Sequence, residues 1–182
     1  MSSTSVYPTP INAFKQAKRS VLSVIVDNEP GILARIVGLF SGRGYNIESL
    51  AVAEIDAAKN ISRITIVTTG TPQVIDQIKL QLKKLVPVHK VADFKREDKK
   101  VIFKEMALLK IVGEKKKIEK SLKACKSYNP VILDKSNKSV VIQITALRRE
   151  IDKMSKKLKA LGLTSTSRTG AIAMTRGAEV FK

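Results

Sequence analysis

The residue types that carry out most covalent and metal chemistry are scarce in this chain. Its 182 residues include one cysteine, Cys125, and one histidine, His89. A thiol nucleophile needs a base beside it, and a structural zinc site needs about four sulfur or imidazole ligands. One possible Cys/His pair without ligand spacing therefore argues against a cysteine hydrolase or a metal centre. We expect His89 to be a partly exposed strand residue and Cys125 a small helix residue.

The segment Asp27-Asn-Glu-Pro-Gly31 indicates a different chemistry, the binding of a small charged ligand. It leads into a helical pattern, and the first N–H groups of that helix, near Gly31 to Leu33, can receive a carboxylate. Glycine lets the backbone approach a ligand closely, and the Asn28 amide can turn its oxygen toward an ammonium. The alternative is a helix-starting turn in which Asn28 acts as a cap. The residues alone leave both interpretations open.

Hydrophobic periodicity predicts the elements that must position this segment. The first half has the order strand, helix, strand, strand, helix, strand, and the second half repeats it with a period of about 80 residues. The expected fold class is α+β, with two ferredoxin-like βαββαβ domains. The predicted elements are strands at 20–27, 45–55, 61–69 and 87–94 with helices at 32–40 and 73–85, then strands at 101–112, 130–133, 139–145 and 163–174 with helices at 115–126 and 151–161.

Composition also suggests where the domains begin and end. Residues 1–19 are rich in Ser, Thr and Pro and lack apolar periodicity, so we expect a flexible arm. Residues 20–95 form the predicted first domain and residues 101–182 the second. The charged run 96–100 is the predicted linker between them.

The charge of the chain raises nucleic acid as a partner. Lys and Arg number 34 against 16 Asp and Glu, a formal net charge of +18. An RNA-recognition domain of this topology would need aromatic residues on its first and third strands, and residues 21–26 and 61–69 contain none. We therefore expect no specific nucleic-acid binding, while a basic nucleic-acid-binding protein remains the alternative function. The lysines, concentrated after residue 100, could also meet an acidic protein surface or reflect a lysine-rich composition.

The sequence gives no indication of membrane insertion or secretion. After residue 14 the longest uncharged run is 64–75, well short of the roughly 20 apolar residues that a membrane span needs. The first residues lack a basic start followed by an apolar stretch, as a secretory signal would have. One cysteine allows no intrachain disulfide, so we expect a cytoplasmic protein.

Several segments together resemble a known family. The strongest is Val26-Asp-Asn-Glu-Pro-Gly-Ile-Leu-Ala-Arg35, which runs into Gly38-Leu-Phe-Ser-Gly-Arg-Gly-Tyr-Asn-Ile-Glu-Ser-Leu50. Others are Ser62-Arg-Ile-Thr-Ile66, Gln77-Ile-Lys-Leu-Gln-Leu-Lys-Lys-Leu-Val86 and Ser167-Arg-Thr-Gly-Ala-Ile-Ala-Met-Thr-Arg-Gly177. They resemble the small regulatory subunits of acetolactate synthase (acetohydroxyacid synthase), whose N-terminal domain is an ACT domain. The lysine-rich stretches 111–118 and 147–154 depart from the family pattern.

The resemblance implies a non-catalytic subunit. It would bind the large catalytic subunit, raise its activity and confer feedback inhibition by valine in branched-chain amino-acid biosynthesis. Thiamine diphosphate, Mg²⁺ and FAD are expected on the catalytic subunit and no cofactor on this one. A third possibility is an ACT module that binds an amino acid and regulates another enzyme.

The resemblance also implies a site. ACT domains of this family pair side by side, residues 20–95 would form a homodimer in this way, and valine would lie at the pair interface. The contacts it implies for one protomer are Asn28, Gly31, Ile32 and Leu33 at the helix start, and Asn46 with Ile47 from the facing protomer. Helix-start amides suit the valine carboxylate, amide oxygens suit its ammonium, and the aliphatic side chains suit its isopropyl group.

Overall fold

The computed structural model describes residues 17–95 and 99–181, which divide into two compact units with a boundary between residues 98 and 99. Residues 1–16, which make up most of the predicted arm, and residues 96–98 of the predicted linker lie outside the described residues. Each unit has the predicted order βαββαβ. The first contains β1 Lys18–Asp27, α1 Ile32–Ser41, β2 Ser49–Asp56, β3 Ile61–Gly70, α2 Pro72–Leu82 and β4 Val88–Lys95.

The four strands of the first unit form an antiparallel sheet in the order β2-β3-β1-β4. Side chains alternate between the two faces of a strand, so Leu22, Val24 and Val26 all point to one face of β1. That face forms a core with the apolar stripes of both helices, which places α1 and α2 on the same side of the sheet. The stripe on α1 has helical spacing: Ile32, Ile36, Leu39 and Phe40.

The second unit contains β5 Val101–Val112, α3 Lys115–Cys125, β6 Val131–Lys135, β7 Ser139–Ala146, α4 Arg148–Lys159, β8 Leu163–Arg168 and β9 Ile172–Thr175. A short 3₁₀ turn, Lys126–Tyr128, follows α3. The sheet order is β6-β7-β5-β8, and β9 pairs with the first residues of β5. The core again joins one face of the sheet to both helices. The predicted fold class of two ferredoxin-like βαββαβ domains is therefore confirmed.

Several elements differ from the sequence prediction. Helix α2 ends at Leu82, three residues before the predicted end, and α4 spans Arg148–Lys159 and not 151–161. Strand β1 begins at Lys18, two residues before the predicted start. Strand β2 begins at Ser49 and not at residue 45, because the Tyr45 N–H turns back to the Phe40 carbonyl at 2.9 Å after Gly44, which has φ 67°. The predicted strand 163–174 is two strands, broken where Gly170 takes φ 80° and Thr169 bonds to Met106.

The two residues considered first for chemistry have ordinary structural positions. His89 lies on β4 with about half of its side chain exposed. Cys125 is fully buried at the end of α3, and burial raises the pKa of its thiol to about 11. A protonated, inaccessible thiol is a poor nucleophile. Within the described ranges, no helix is long and apolar enough to span a membrane, and no group of three potential metal ligands occurs.

Candidate ligand-binding loop at the start of the first helix

The loop between β1 and α1 turns on Gly31. Gly31 is the N-cap of α1 and has φ 86° and ψ −7°, a left-handed conformation that favours glycine. A Cβ atom built on Gly31 would find no atom within 4 Å, so the space above it is open. No side chain caps the helix. The interpretation of Asn28 as a helix cap is therefore wrong.

The first turn of α1 retains backbone donors. The Ile32 N–H donates to the Glu29 carbonyl at 3.3 Å, and the Arg35 N–H donates to the Gly31 carbonyl at 3.0 Å. The N–H groups of Leu33 and Ala34 have no acceptor among residues 17–95 and 99–181. Free N–H groups at the positive end of a helix dipole are a favourable place for a carboxylate.

Asn28 is fixed by the β2–β3 hairpin. Its N–H donates to the Asn60 carbonyl at 2.7 Å, and the Asn60 side-chain amide donates back to the Asn28 carbonyl at 3.2 Å. The Asn28 side-chain NH₂ donates to Glu54 Oε1 at 3.2 Å. Its Oδ1 accepts no hydrogen bond within the described residues, so this oxygen is available to an ammonium.

Glu54 is a candidate site residue that the sequence did not indicate. Its exposed carboxylate lies beside Asn28 and would add Coulomb attraction for a ligand ammonium. The sequence signal is weak because Glu54 and Asn28 are 26 positions apart. They meet because β2 pairs with β3, whose turn contains Asn60 and holds Asn28 in place.

The entry to the loop is also held from β4. Asp27, the last residue of β1, places its Oδ1 2.6 Å from His89 Nε2. The Asp27 N–H donates to the Pro87 carbonyl at 2.9 Å. Asn28 follows Asp27 directly, so contacts with both neighbouring strands fix the position from which the loop starts.

The two apolar residues at the helix start lie differently. Ile32 is buried to 6% exposure and packs in the core, so only its backbone could reach a ligand. Leu33 is 39% exposed and lies on the surface of α1. Its side chain can therefore provide an apolar wall beside the loop.

Asn46 and Ile47 precede β2 and lie away from this loop. Thr68 Oγ1 donates to the Asn46 carbonyl at 2.7 Å, while the Asn46 residue is exposed and Ile47 packs against the core. Asn28, by contrast, contacts Glu54, which lies eight residues after Asn46 and near the other end of β2. The partners of Asn46 and Glu54 on β3, Thr68 and Ser62, are six residues apart, which is about 20 Å at about 3.3 Å per residue. One chain alone does not bring the two sets of predicted contacts together.

Strand β2, the edge strand of the first sheet, lies between the Asn28 loop and the Asn46 segment. Strand β2 is at the end of the strand order, and no strand within the described ranges pairs with its outer side. Val52 lies opposite Ile64 in the pairing, which places it on the helix side of the sheet, and it is 47% exposed. Leu33 and Val37 on α1 are also partly exposed.

Comparisons with known proteins identify the family. Residues 22–90 match the family profile described as the AHAS small subunit-like ACT domain, and residues 104–177 match the profile of the small subunit of acetolactate synthase. The chain is 32% identical over 160 residues to the acetolactate synthase small subunit of Mycobacterium bovis, an alignment that covers 88% of this chain and 94% of the relative. The chain belongs to the acetolactate synthase small-subunit family.

Other members of the acetolactate synthase small-subunit family extend the agreement. The small subunit from Aquifex aeolicus is 35% identical over 162 residues, covering 88% of this chain and 83% of that one. The crystal structure of the small subunit from Thermotoga maritima superposes with a TM-score of 0.80 at 30% identity, covering 89% of this chain and 99% of that chain. The family predicted from the sequence segments is thus confirmed.

The family segment near the C-terminus forms β8 and β9 and carries a buried ion pair. Arg168 donates from Nε to Glu105 Oε1 at 2.6 Å, from Nη2 to Glu105 Oε2 at 2.9 Å, and from Nη1 to Asp152 Oδ1 at 2.6 Å. The hydrogen bond with Glu105 and then that with Asp152 raise the pKa of Arg168. Arg168 thus joins β8 to β5 through Glu105, which is only 2% exposed, and joins β8 to α4 through the partly exposed Asp152.

Proposed function

We propose that this chain is a non-catalytic regulatory subunit that activates the thiamine-diphosphate-dependent subunit of acetolactate synthase and confers feedback inhibition by valine. Family membership supports the partner. The observation that carries the effector site is the left-handed Gly31 turn, with open space at Gly31 and two unused N–H donors in the helix turn that follows the loop holding Asn28. Condensation of pyruvate, with thiamine diphosphate, Mg²⁺ and FAD, would take place on the catalytic subunit in the cytoplasm.

The site would be completed by a second copy of the chain. Two β2 edges related by a two-fold axis would pair antiparallel and extend the sheets into one. Antiparallel pairing sets the start of one β2 against the end of the other. Asn46, before the start of the partner's strand, would then come near Glu54 and Asn28 at the end of this one. The exposed side chains of Leu33, Val37 and Val52 would be covered by the same pairing.

Each part of valine has a partner in this arrangement. The carboxylate would accept from the N–H groups of Leu33 and Ala34. The ammonium would donate to Asn28 Oδ1 and to the Asn46 amide of the other protomer, and it would gain Coulomb attraction from Glu54. The isopropyl group would contact Leu33 and, across the interface, Ile47.

Inhibition follows if valine binds this paired arrangement better in the inhibited enzyme than in the active one. A ligand that touches both protomers fixes their relative position. The catalytic subunit would sense that position through surfaces other than the loop. Activation and valine inhibition should therefore be separable by mutation.

We also infer that the helix layer of the second unit contacts an acidic surface on the catalytic subunit. Helices α3 and α4 carry eleven basic and three acidic side chains. One of the acidic groups, Asp152, already pairs with Arg168, which lies outside the two helices. The layer therefore presents a largely uncompensated positive charge.

Reconstitution tests the proposal. The purified chain is mixed with the catalytic subunit, and acetolactate formation is measured with and without valine. We expect higher activity on mixing and inhibition by valine only in the mixture. Unchanged activity, with no association between the two proteins, would contradict the role and favour an ACT module that regulates another enzyme.

A further inference from the structure

The first unit contains a cavity at the end of its sheet opposite the Gly31 loop. Strand β1 is ten residues long; Lys18 begins it and Asn28 follows its other end. The cavity, which we name the β1–β4 pocket, has a volume of about 440 Å³, the size of a small-molecule site. It is lined by Lys18, Arg19, Ser20, Gly70, Pro72, Ile75, Asp76, Lys79, Asp93 and Lys95.

The pocket lies where β1 begins, β4 ends and α2 starts, on the helix side of the sheet. The pairs Ser20↔Lys95 and Leu22↔Asp93 lie two residues apart on β1, so they share a face of the sheet. Leu22 is in the helix-facing core, which places Asp93 and Lys95 on that side as well. Gly70 adds no side chain to the floor, and a Cβ there would lie 2.9 Å from Val74 Cγ1.

Charges of both signs in this pocket lack partners. Asp93 Oδ1 is buried and has no hydrogen-bond partner. Lys18 and Lys95 form no salt bridge among the described residues. By contrast, Arg19 pairs with Glu48 at 2.8 Å and Lys79 pairs with Asp76 at 2.6 Å.

The pKa of Asp76 shows that the positive charge of Lys95 acts on the groups that line the pocket. Lys79, through its hydrogen bond, and more weakly Lys95 lower the pKa of Asp76. Asp76 already has Lys79 as its close partner, so Lys95 remains available to a second anion. A carboxylate oxygen buried without a donor is costly, and Asp93 therefore favours a ligand that brings one.

We propose that the β1–β4 pocket binds a small α-amino acid with an apolar side chain. Asp93 would accept from the ligand ammonium, and Lys18 and Lys95 would hold its carboxylate. Pro72 and the small part of Ile75 that lines the pocket would contact its side chain. A simple anion would leave Asp93 unpaired and be repelled by it, and a simple cation would be repelled by the two lysines. This site is additional to the proposed valine loop and needs neither that loop nor pairing through β2.

Calorimetric titration of the full chain tests the site. The Gly31→Asp variant is used to block the proposed valine site in the loop. L-valine and L-leucine are the ligands titrated. We expect Gly31→Asp to retain one amino-acid site per chain. Adding Asp93→Asn should weaken that binding by about five- to 150-fold, the loss of one charged hydrogen bond. Adding Asp134→Asn, an exposed carboxylate on β6 of the other unit, should leave it unchanged.

Two ligand analogues test the same chemistry without a mutation at the pocket. Isovalerate lacks the ammonium and isobutylamine lacks the carboxylate, so each should bind Gly31→Asp at least about tenfold more weakly than L-valine. Circular dichroism checks that each variant is folded. Isovalerate or isobutylamine binding as tightly as valine would overturn the zwitterion assignment.

The outcomes separate this site from the valine loop. Binding that Gly31→Asp abolishes and that Asp93→Asn alone leaves unchanged overturns the pocket and leaves the proposed function standing. Binding that survives Gly31→Asp and weakens with Asp93→Asn supports the pocket.

Discussion

The two units share one topology and differ where a ligand would bind. In the first, four residues join β1 to α1, and they include Asn28 and the left-handed Gly31. In the second, two residues, Gly113 and Glu114, join β5 to α3, and the helix cap Glu114 has an extended backbone at φ −66°. The Gly113 N–H is already used by the Lys138 carbonyl at 2.9 Å. The same topology thus has an open β–α loop in the first unit and a short, hydrogen-bonded connection in the second. Topology alone therefore does not specify a binding site.

Their helix layers differ in charge as well. Helices α1 and α2 together carry two basic side chains and one acidic side chain, against eleven and three on α3 and α4. The helix layer of the second unit therefore has a net charge of +8, nearly half of the formal +18 of the chain, against +1 for the layer of the first unit. This difference is the basis for proposing small-ligand binding for the first unit and contact with an acidic protein for the second.

The largest expected effect concerns stability and is confined to the second unit. Arg168→Met would leave Glu105 buried and uncompensated, which typically destabilises by about 3–5 kcal/mol. Urea unfolding followed by circular dichroism and by probes in each unit measures it. The matched control is Arg35→Met, which breaks the exposed Arg35–Glu29 pair at 2.9 Å and should cost less than about 1 kcal/mol. Equal costs for both variants would show that the Arg168 cluster does not hold this unit together.

The next effect should separate the two β–α connections. Gly31→Asp would place a carboxylate where the valine carboxylate is expected and would force a side chain into a left-handed position. We expect valine affinity to fall by at least about 100-fold, or about 2.7 kcal/mol, with activation retained. Valine titration of acetolactate formation by the reconstituted enzyme is the measurement.

Two control variants isolate the cause. Gly31→Asn has nearly the shape of Asp without its charge and tolerates a left-handed backbone, so it should retain more valine sensitivity. Gly113→Asp introduces the same carboxylate into the β5–α3 connection of the second unit and should leave the valine response unchanged. If Gly113→Asp removes inhibition as Gly31→Asp does, the assignment of the site to one unit is wrong.

A smaller effect tests whether the site spans two protomers. Asn46→Ala would remove one amide partner of the ammonium, a loss of about 1–3 kcal/mol or about five- to 150-fold in valine affinity. Fold stability should change little, because Asn46 is exposed and its structural hydrogen bond uses the backbone carbonyl. Calorimetry with sedimentation on the same samples decides: a dimer that binds valine with unchanged affinity would contradict the cross-interface model.

The sequence predicted the order of elements because the apolar periods of the helices and strands are regular and the turns carry Gly, Pro and Asn. It could not predict that Glu54 would lie beside Asn28 or that Asp93 would lie beside β1, because both depend on β1 pairing with strands far along the chain, β3 and β4. Likewise, the composition of residues 163–174 predicts one continuous strand. The break at Thr169 and Gly170 depends on a contact with Met106 on β5, more than sixty residues away.

The smallest expected effect concerns the basic helix layer. Lys116→Glu combined with Lys120→Glu reverses two exposed charges on α3 and should weaken association with the catalytic subunit by about two- to 30-fold near 0.1 M salt. The difference should shrink at about 0.5 M salt, because exposed charges are screened over a few ångströms there. The matched control, Lys83→Glu with Lys84→Glu just beyond α2, makes the same net change on the first unit and should have less effect.

Association can be followed by surface plasmon resonance across that salt range, with a duplex oligonucleotide as a second immobilised ligand. A local acidic partner predicts that the α3 variant slows association more than the α2 control does, since steering depends on where the charge lies. Equal losses in both variants would mean that net charge alone matters and that the layer is a solvated face. Binding to the oligonucleotide that persists at physiological salt and is lost with the α3 variant would instead assign the layer to nucleic acid, because non-specific electrostatic binding weakens steeply as salt rises.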